Sequence, residues 1–209
     1  VVFDFRAADL ALGGQGAPLV PPADQALLGR TEGWRAVLNL GGIANLTLIP
    51  PAGGPQRNAP LLGWDCGPAN SLIDLAVAQL SGGSQRCDQG GTWAARGRVD
   101  QPCIDRWLQE PYFQQPPPKS TGREVFGRAD LERRLGELAG REAADVLATL
   151  TAFSAACVRP LSELGIGDQQ REALAFALLA WWHQRGYPGN APSVTGALTA
   201  TVLGVCAQP

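Results

Sequence analysis

The sequence predicts an α/β domain with its strands early and its helices late. Apolar runs flank Gly41-Gly42, and two such runs joined by a short glycine turn are a hairpin signature. Beyond about residue 100, apolar residues recur at three- and four-residue spacing, the period of helices packed on one side. The chain has 209 residues, 45% apolar and 17% charged, with no internal repeat. That fits a single globular region over 1–209.

In chain order, Val1 to Phe5 reads as a strand and Ala7 to Leu10 as a short turn or helix. Gly13 to Pro18 reads as a flexible loop. Arg35 to Leu40 and Ala44 to Ile49 are the hairpin strands. Pro50 to Pro60 is a polar loop, and Leu61 to Trp64 a short buried strand. A tight turn carrying Asp65 leads to a helix over Ala69 to Leu80, with Gly67 and Pro68 shaping the turn and Asn70 able to cap. A short helix over Cys103 to Gln109 ends at Pro111. Helices follow over Ala129 to Ala139 and Arg141 to Val158, the latter with Val146, Leu147, Leu150 and Phe153 in register. Asp168 to Arg185 is the strongest helical pattern, and Thr195 to Cys206 reads as a closing helix of small residues.

Composition narrows the function. The net charge of -2 leaves no basic footprint for nucleic acid. No apolar run reaches the roughly 18 residues of a membrane helix. The 26 glycines and 17 prolines fall in short turns, so the fold is loop-rich. The five cysteines form no CxxC pair, which reads as free thiols in a reducing compartment. There is no charged leader, so a cytoplasmic location is expected. The chain opens inside a strand and holds no methionine, as a domain cut from a longer protein would.

Several segments can carry chemistry. Asp65 in Gly63-Trp64-Asp65-Cys66-Gly67-Pro68-Ala69-Asn70 either caps a turn or faces a crevice at a strand-to-helix junction, where open α/β folds place ligands. Gly13-Gly14-Gln15-Gly16 is either a plain turn, the commoner use of such glycines, or a close approach to an anion or sugar. Asn39 to Thr47 is either a stable hairpin or one whose tip presents N–H groups to a ligand. Pro116-Pro117-Pro118-Lys119-Ser120-Thr121-Gly122-Arg123-Glu124 is not a P-loop, because prolines and not glycines precede the lysine. The prolines instead deliver the only lysine, two hydroxyls, an arginine and a glutamate to one place. Glu172 either offsets a helix dipole or supplies a second carboxylate. His183, the only histidine, reads as structural, and no Gly-x-Ser-x-Gly elbow or metal motif is present. Ser193 or Thr195 can cap the final helix, or that loop can close over a sugar.

Together these runs resemble the anhydro-N-acetylmuramic acid kinase family of actin-like sugar kinases. The resemblance rests on Asp4-Phe5-Arg6, Gly13 to Pro21, Asn39 to Thr47, Trp64 to Asn70, Trp93-Ala94, Pro111 to Glu124, Glu172 to Ala180 and Pro188 to Ala197. They occur in family order. It implies a partial actin-like, ribonuclease H-like fold. It also implies an enzyme that opens 1,6-anhydro-N-acetylmuramic acid with water and phosphorylates O6 to N-acetylmuramic acid 6-phosphate, in peptidoglycan recycling. Asp65 matches the general base. Arg6, Gln15, Asn70, Lys119, Ser120, Thr121, Arg123, Glu124 and Glu172 would serve the sugar. Asn39, Gly41 and Gly42 would serve the phosphates of ATP, with Mg²⁺ and no metal site of the chain's own. A homodimer is implied as well.

The chain departs from the family pattern in three places. The N-terminal phosphate loop is absent, a glycine-rich adenosine-binding strand and helix is missing between 158 and 168, and Gly90 replaces a polar residue. Three functions compete: the kinase, a shortened homologue that holds the amino sugar without phosphorylating it, and a hydrolase using Asp65 and Glu172.

Overall fold

The computed structural model describes residues 2–155, 178–180 and 182–206. The expected mixture of strands and helices holds, as a mixed α/β arrangement around a small antiparallel sheet, but two helices precede the sheet and a strand follows the last helix. β1 (Val2–Phe3) is followed by α1 (Ala7–Ala11) and α2 (Pro21–Leu28). The sheet is β2 (Arg35–Leu40), β3 (Ile43–Ile49) and β4 (Leu62–Pro68), in that spatial order. α3 (Asn70–Leu80), α4 (Gln101–Trp107), α5 (Pro111–Gln114), α6 (Arg128–Glu137) and α7 (Ala143–Ser154) follow. Residues 178–180 and 182–185 are helical, α8 spans Pro192–Thr195, and β5 (Val205–Cys206) pairs with β1.

The hairpin lies where the apolar pattern put it. Gly41 and Gly42 lie at the tip, with three residues, 41–43, between the last pair, and pairing runs from Arg35↔Ile49 to Leu40↔Ala44. One face of the sheet packs Val37 and Ile49 with Leu28 of α2 and Val194 of α8. The largest core lies among the helices: Leu72 and Val77 of α3, Trp107 of α4, Leu131 of α6, and Leu147 and Phe153 of α7. Arg134 is fully buried there between the Trp107 and Phe153 rings, each 4.7 Å away, and is ion-paired to Asp130 and Glu110. Buried charge of this kind persists because it is paired.

Five sequence expectations change. The first strand stops at Phe3, because Asp4 adopts φ 52 and its carboxylate accepts from Ala7 N at the start of α1. α2 carries no sequence signal strong enough to have been read, and its Pro21 and Pro22 occupy the first turn, where proline is tolerated. Pro111 opens α5 and does not merely end α4, for the same reason. Asp65 lies inside β4, not in a turn after it. Beyond Thr195 the closing segment is not a helix: Gly196 at φ 77 ends α8, and the chain continues without regular structure to β5. Among the described residues there, only Val205 and Cys206 are in a strand, paired with Phe3 and Val2 of β1. The Asp168 to Arg185 pattern falls mostly outside the described residues. No helix among them is long and apolar enough to cross a membrane.

Candidate active site

Strand register builds the site around Asp65. Asn39 pairs with Asn45, and Asn45 with Asp65, so the three form one cross-strand row. A bulge between Ala44 and Asn45 interrupts the ladder beside that row, a place where strands re-aim side chains. Gly67 keeps φ 149, and a Cβ there would come within 2.8 Å of the Phe113 ring.

Asp65 is only 7% exposed. Its Oδ2 accepts from Ser120 Oγ and from the Thr121 amide, both at 2.9 Å. Its own amide donates to Lys119 O at 3.0 Å, and Tyr112 Oη donates to its carbonyl at 2.7 Å. Oδ1 accepts no hydrogen bond among the described residues. Burial pushes the Asp65 carboxyl above its ordinary value; the Thr121 and Ser120 donors pull it back in part, and the Glu124 charge raises it further. A clamped, half-desolvated carboxylate with one free oxygen is arranged to take a proton from a water.

The Lys119 to Glu124 loop divides its side chains. Ser120 and the Thr121 amide hold Asp65. Lys119 is 8% exposed, and its Nζ donates to Tyr112 O at 3.0 Å and lies 4.7 Å over the Tyr112 ring. Burial lowers the lysine's proton affinity. Its ammonium braces α5 against the loop and is not directed at Oδ2. Burial, and then the Asp65 charge, hold the Tyr112 phenol well above its usual range, so Tyr112 stays a donor. Glu124 is exposed.

Arg123 enters a second feature, a cleft of about 510 Å³ lined also by Gly41, Gly42, Asn70, Ser71 and Asp74, with Arg86 and Arg128 at its sides. Asn70 does not cap α3. Its Nδ2 donates to Leu40 O and Gly41 O at 3.2 and 3.1 Å and so ties the hairpin tip to the helix. The tip's carbonyls take the first amides of α3: Asn70 N donates to Gly41 O, and Ala69 N and Ser71 N to Gly42 O. The Gly41 and Gly42 amides make no hydrogen bond among the described residues. Burial raises the Asp74 carboxyl, and the facing Arg123 charge offsets part of that.

Arg6 and Gln15 gather elsewhere. Arg6 Nε donates to Gly16 O at 3.0 Å, and Gln15 N to Thr195 O at 2.9 Å. Neither is hydrogen-bonded to Asp65. Ser193 and Thr195 do not cap α8: Ser193 Oγ donates to Leu61 O just before β4, and Thr195 Oγ1 to Asp9. His183 Nδ1 meets Leu203 O at 2.8 Å, a packing role. Glu172 lies outside the described residues. Among the described residues, Cys66, Cys87 and Cys103 are free thiols, and no cluster of three or more His, Cys, Asp or Glu is placed to hold a metal.

Sequence reasoning missed Asn45, Tyr112, Asp9 and the cleft's Ser71, Asp74, Arg86 and Arg128. A two-residue turn at 41–42 would have placed 39 opposite 44; it is the three-residue connection 41–43 that sets 39 opposite 45, so the register of Asn45 came from the fold. The others are joined only by the fold.

A family model described as anhydro-N-acetylmuramic acid kinase matches residues 1–161 and 156–209. The chain belongs to the anhydro-N-acetylmuramic acid kinase family. It is 57% identical over 252 positions to the anhydro-N-acetylmuramic acid kinase of Synechococcus sp. strain CC9311, covering 100% of this chain and 66% of that relative. The kinases so named from strains WH7803 and CC9605 are each 56% identical over 252 positions, with the whole chain matched and 65% and 66% of the relatives covered. The chain therefore spans just under two thirds of the length of these curated relatives. The matched span of 252 positions exceeds the 209 residues of the chain, so the relatives carry residues within that span that this chain lacks. The family match divides at 156–161, directly after α7.

Proposed function

We propose that this chain performs the chemistry its family name denotes: ATP-dependent opening of 1,6-anhydro-N-acetylmuramic acid with phosphorylation of O6, in cytoplasmic peptidoglycan recycling. The observation that carries this is the Asp65 clamp, with one oxygen fixed by Ser120 and Thr121 and the other open to a water. Asp65 takes a proton from that water as its oxygen bonds to the anomeric carbon. The C1–O6 bond breaks, and the freed O6 is the acceptor. ATP supplies the γ-phosphoryl group when bound. The free amides of Gly41 and Gly42 are suited to its phosphates, and Asn39 stands in register with Asp65 beside that turn. Mg²⁺ would enter with the phosphates. The actin-like fold, the sugar-side roles of Arg6, Gln15, Asn70, Lys119, Arg123, Glu124 and Glu172, and a homodimer belong to the same proposal. Lys119 would act by positioning α5, and Ser120 and Thr121 by orienting Asp65.

One observation favours a second reading. The residues missing at the family-match break are those the resemblance assigns to adenosine, so the chain can be a homologue that holds the amino sugar without phosphorylating it. Incubating the chain with anhydro-sugar and Mg-ATP, with mass spectrometry of products and calorimetry of sugar binding, separates the two. The 6-phosphate product supports the kinase. Sugar binding without product supports the binder. Neither result removes both.

A further inference from the structure

The three-stranded sheet is apolar on both faces, and one of them is half open. Val37 and Ile49 pack toward α2 and α8. The opposite face carries Leu38 and Leu40 of β2, Leu46 and Leu48 of β3, and Leu62 and Trp64 of β4. Register sets them in rows, with Leu38 beside Leu46 beside Trp64, and Leu48 beside Leu62. None of the six is fully buried, and Leu40 is 39% exposed. An antiparallel sheet with one face in solvent alternates apolar and polar residues, so a second apolar face marks a surface that another element covers. At one end of it, Leu108, Phe113 and Phe153 close a pocket of about 250 Å³ with Leu38, Leu46 and Trp64. β2 is also an open edge, since β3 is its one neighbour in the sheet among the described residues. It carries a single charge, at Arg35, and no proline to block further pairing.

The relatives' matched span of 252 positions against 209 residues here leaves them 43 residues that this chain lacks. The division of the family match at 156–161 puts those residues directly after α7. α7 ends at Ser154, and Phe153 and Ser154 line the pocket at the rim of the open face. The additional chain of the relatives therefore starts beside this surface. Its length suffices for a strand and a helix, at about 3.3 Å and about 1.5 Å per residue. We propose that the open face and the β2 edge form a docking surface for a polypeptide segment of that kind, supplied in trans. One strand of it hydrogen-bonds along Arg35 to Leu40, and a helix lays its apolar stripe across Leu38, Leu46 and Trp64. Sheet edges accept an added strand through main-chain hydrogen bonds, while side-chain pockets give selectivity. An apolar helix stripe is the ordinary cover for an apolar sheet face. The surface is the same whichever reading of the Asp65 site holds.

A peptide of the residues that the Synechococcus sp. strain CC9311 relative carries at this point, titrated into the 209-residue chain, tests this. Calorimetry gives one-to-one binding, and hydrogen exchange slows at the backbone amides of β2. Leu40→Glu weakens binding by about tenfold or more, because the complex would bury an unpaired carboxylate. Leu38→Asp with Leu46→Asp, a directly opposed pair, abolishes it. Leu40 is exposed, so Leu40→Glu leaves the fold intact, and circular dichroism checks both variants. Absence of binding at the solubility limit of the peptide overturns the proposal. So does binding that neither protects β2 nor responds to Leu40→Glu. Sedimentation showing a dimer of the chain that Leu40→Glu dissociates also overturns it, since a second copy then covers the face.

Discussion

At the scale of single residues, the proposed chemistry turns on Asp65. Its carboxyl is raised chiefly by burial, so its proton leaves above the ordinary aspartate value of 3.8. A general base works only when ionised, so activity falls as pH drops through the raised value, and the acid limb of kcat/KM inflects above 3.8. Asp65→Asn keeps the shape and an acceptor for Ser120 and Thr121 but cannot take the proton. We expect it to lose at least about a hundredfold in ring opening while retaining sugar affinity. Near-normal turnover would end the assignment. The sign for stability is opposite. A folded-state value above the unfolded one means the native protein binds the proton more tightly, and that advantage is lost as pH rises through the raised value. Asp65→Asn therefore gains stability relative to wild type above that value, and melting curves across pH check it.

At the scale of elements, β4 and the loop beside it form one device. β4 carries Asp65 past the hairpin, and the Lys119 to Thr121 segment runs along its outer edge through the Asp65 N to Lys119 O bond. Tyr112 on α5 fixes the same strand from its carbonyl side. Gly67 makes the close approach possible, because its backbone lies where side chains are rare and the Phe113 ring fills the space a Cβ would need. Gly67→Ala must displace that ring and strain the strand, at a cost of about 2 kcal/mol or more. Urea denaturation should show a lower midpoint with an unchanged slope, together with lost activity, because the Asp65 row shifts with the strand. A midpoint equal to wild type would show that β4 tolerates the change.

At the scale of the whole molecule, one buried carboxylate ties the ends together. Asp9 is fully buried in α1 and accepts from Asn190 Nδ2 at 2.6 Å, Thr195 Oγ1 at 2.7 Å and Gly16 N at 2.9 Å. Those partners lie up to 186 positions away. Through them the Gln15 loop, α8 and the segment before β4 are held as one piece. Asp9→Ala removes the acceptor of three buried donors, of which Asn190 Nδ2 and Thr195 Oγ1 keep only longer bonds to Thr199 O and Ala191 O, and we expect it to cost about 3 kcal/mol or more. Equilibrium denaturation measures this, and a loss below about 1 kcal/mol would mean the donors find water or other partners.

Local pattern was enough for the hairpin, α3, α4, α6 and α7. Each rests on periodicity within a dozen or so residues, and the sheet and helical core reward that same periodicity. The motif runs sufficed for the family, and they marked Asp65 and the Lys119 loop before any contact was known. What a side chain touches depends on segments far away in the chain, and only the tertiary structure decided that. Lys119 turned to Tyr112, Asn70 to the hairpin tip and Thr195 to Asp9, because each buried polar group had to find its partner in space. Val205 and Cys206 became a strand because β1 lay beside them, and Asp65 stayed inside β4 because β3 and the Lys119 segment flank it on both sides. The arginine cleft has no signature in sequence, since Arg86, Arg123 and Arg128 come from separate segments that meet only when α6 packs against α3.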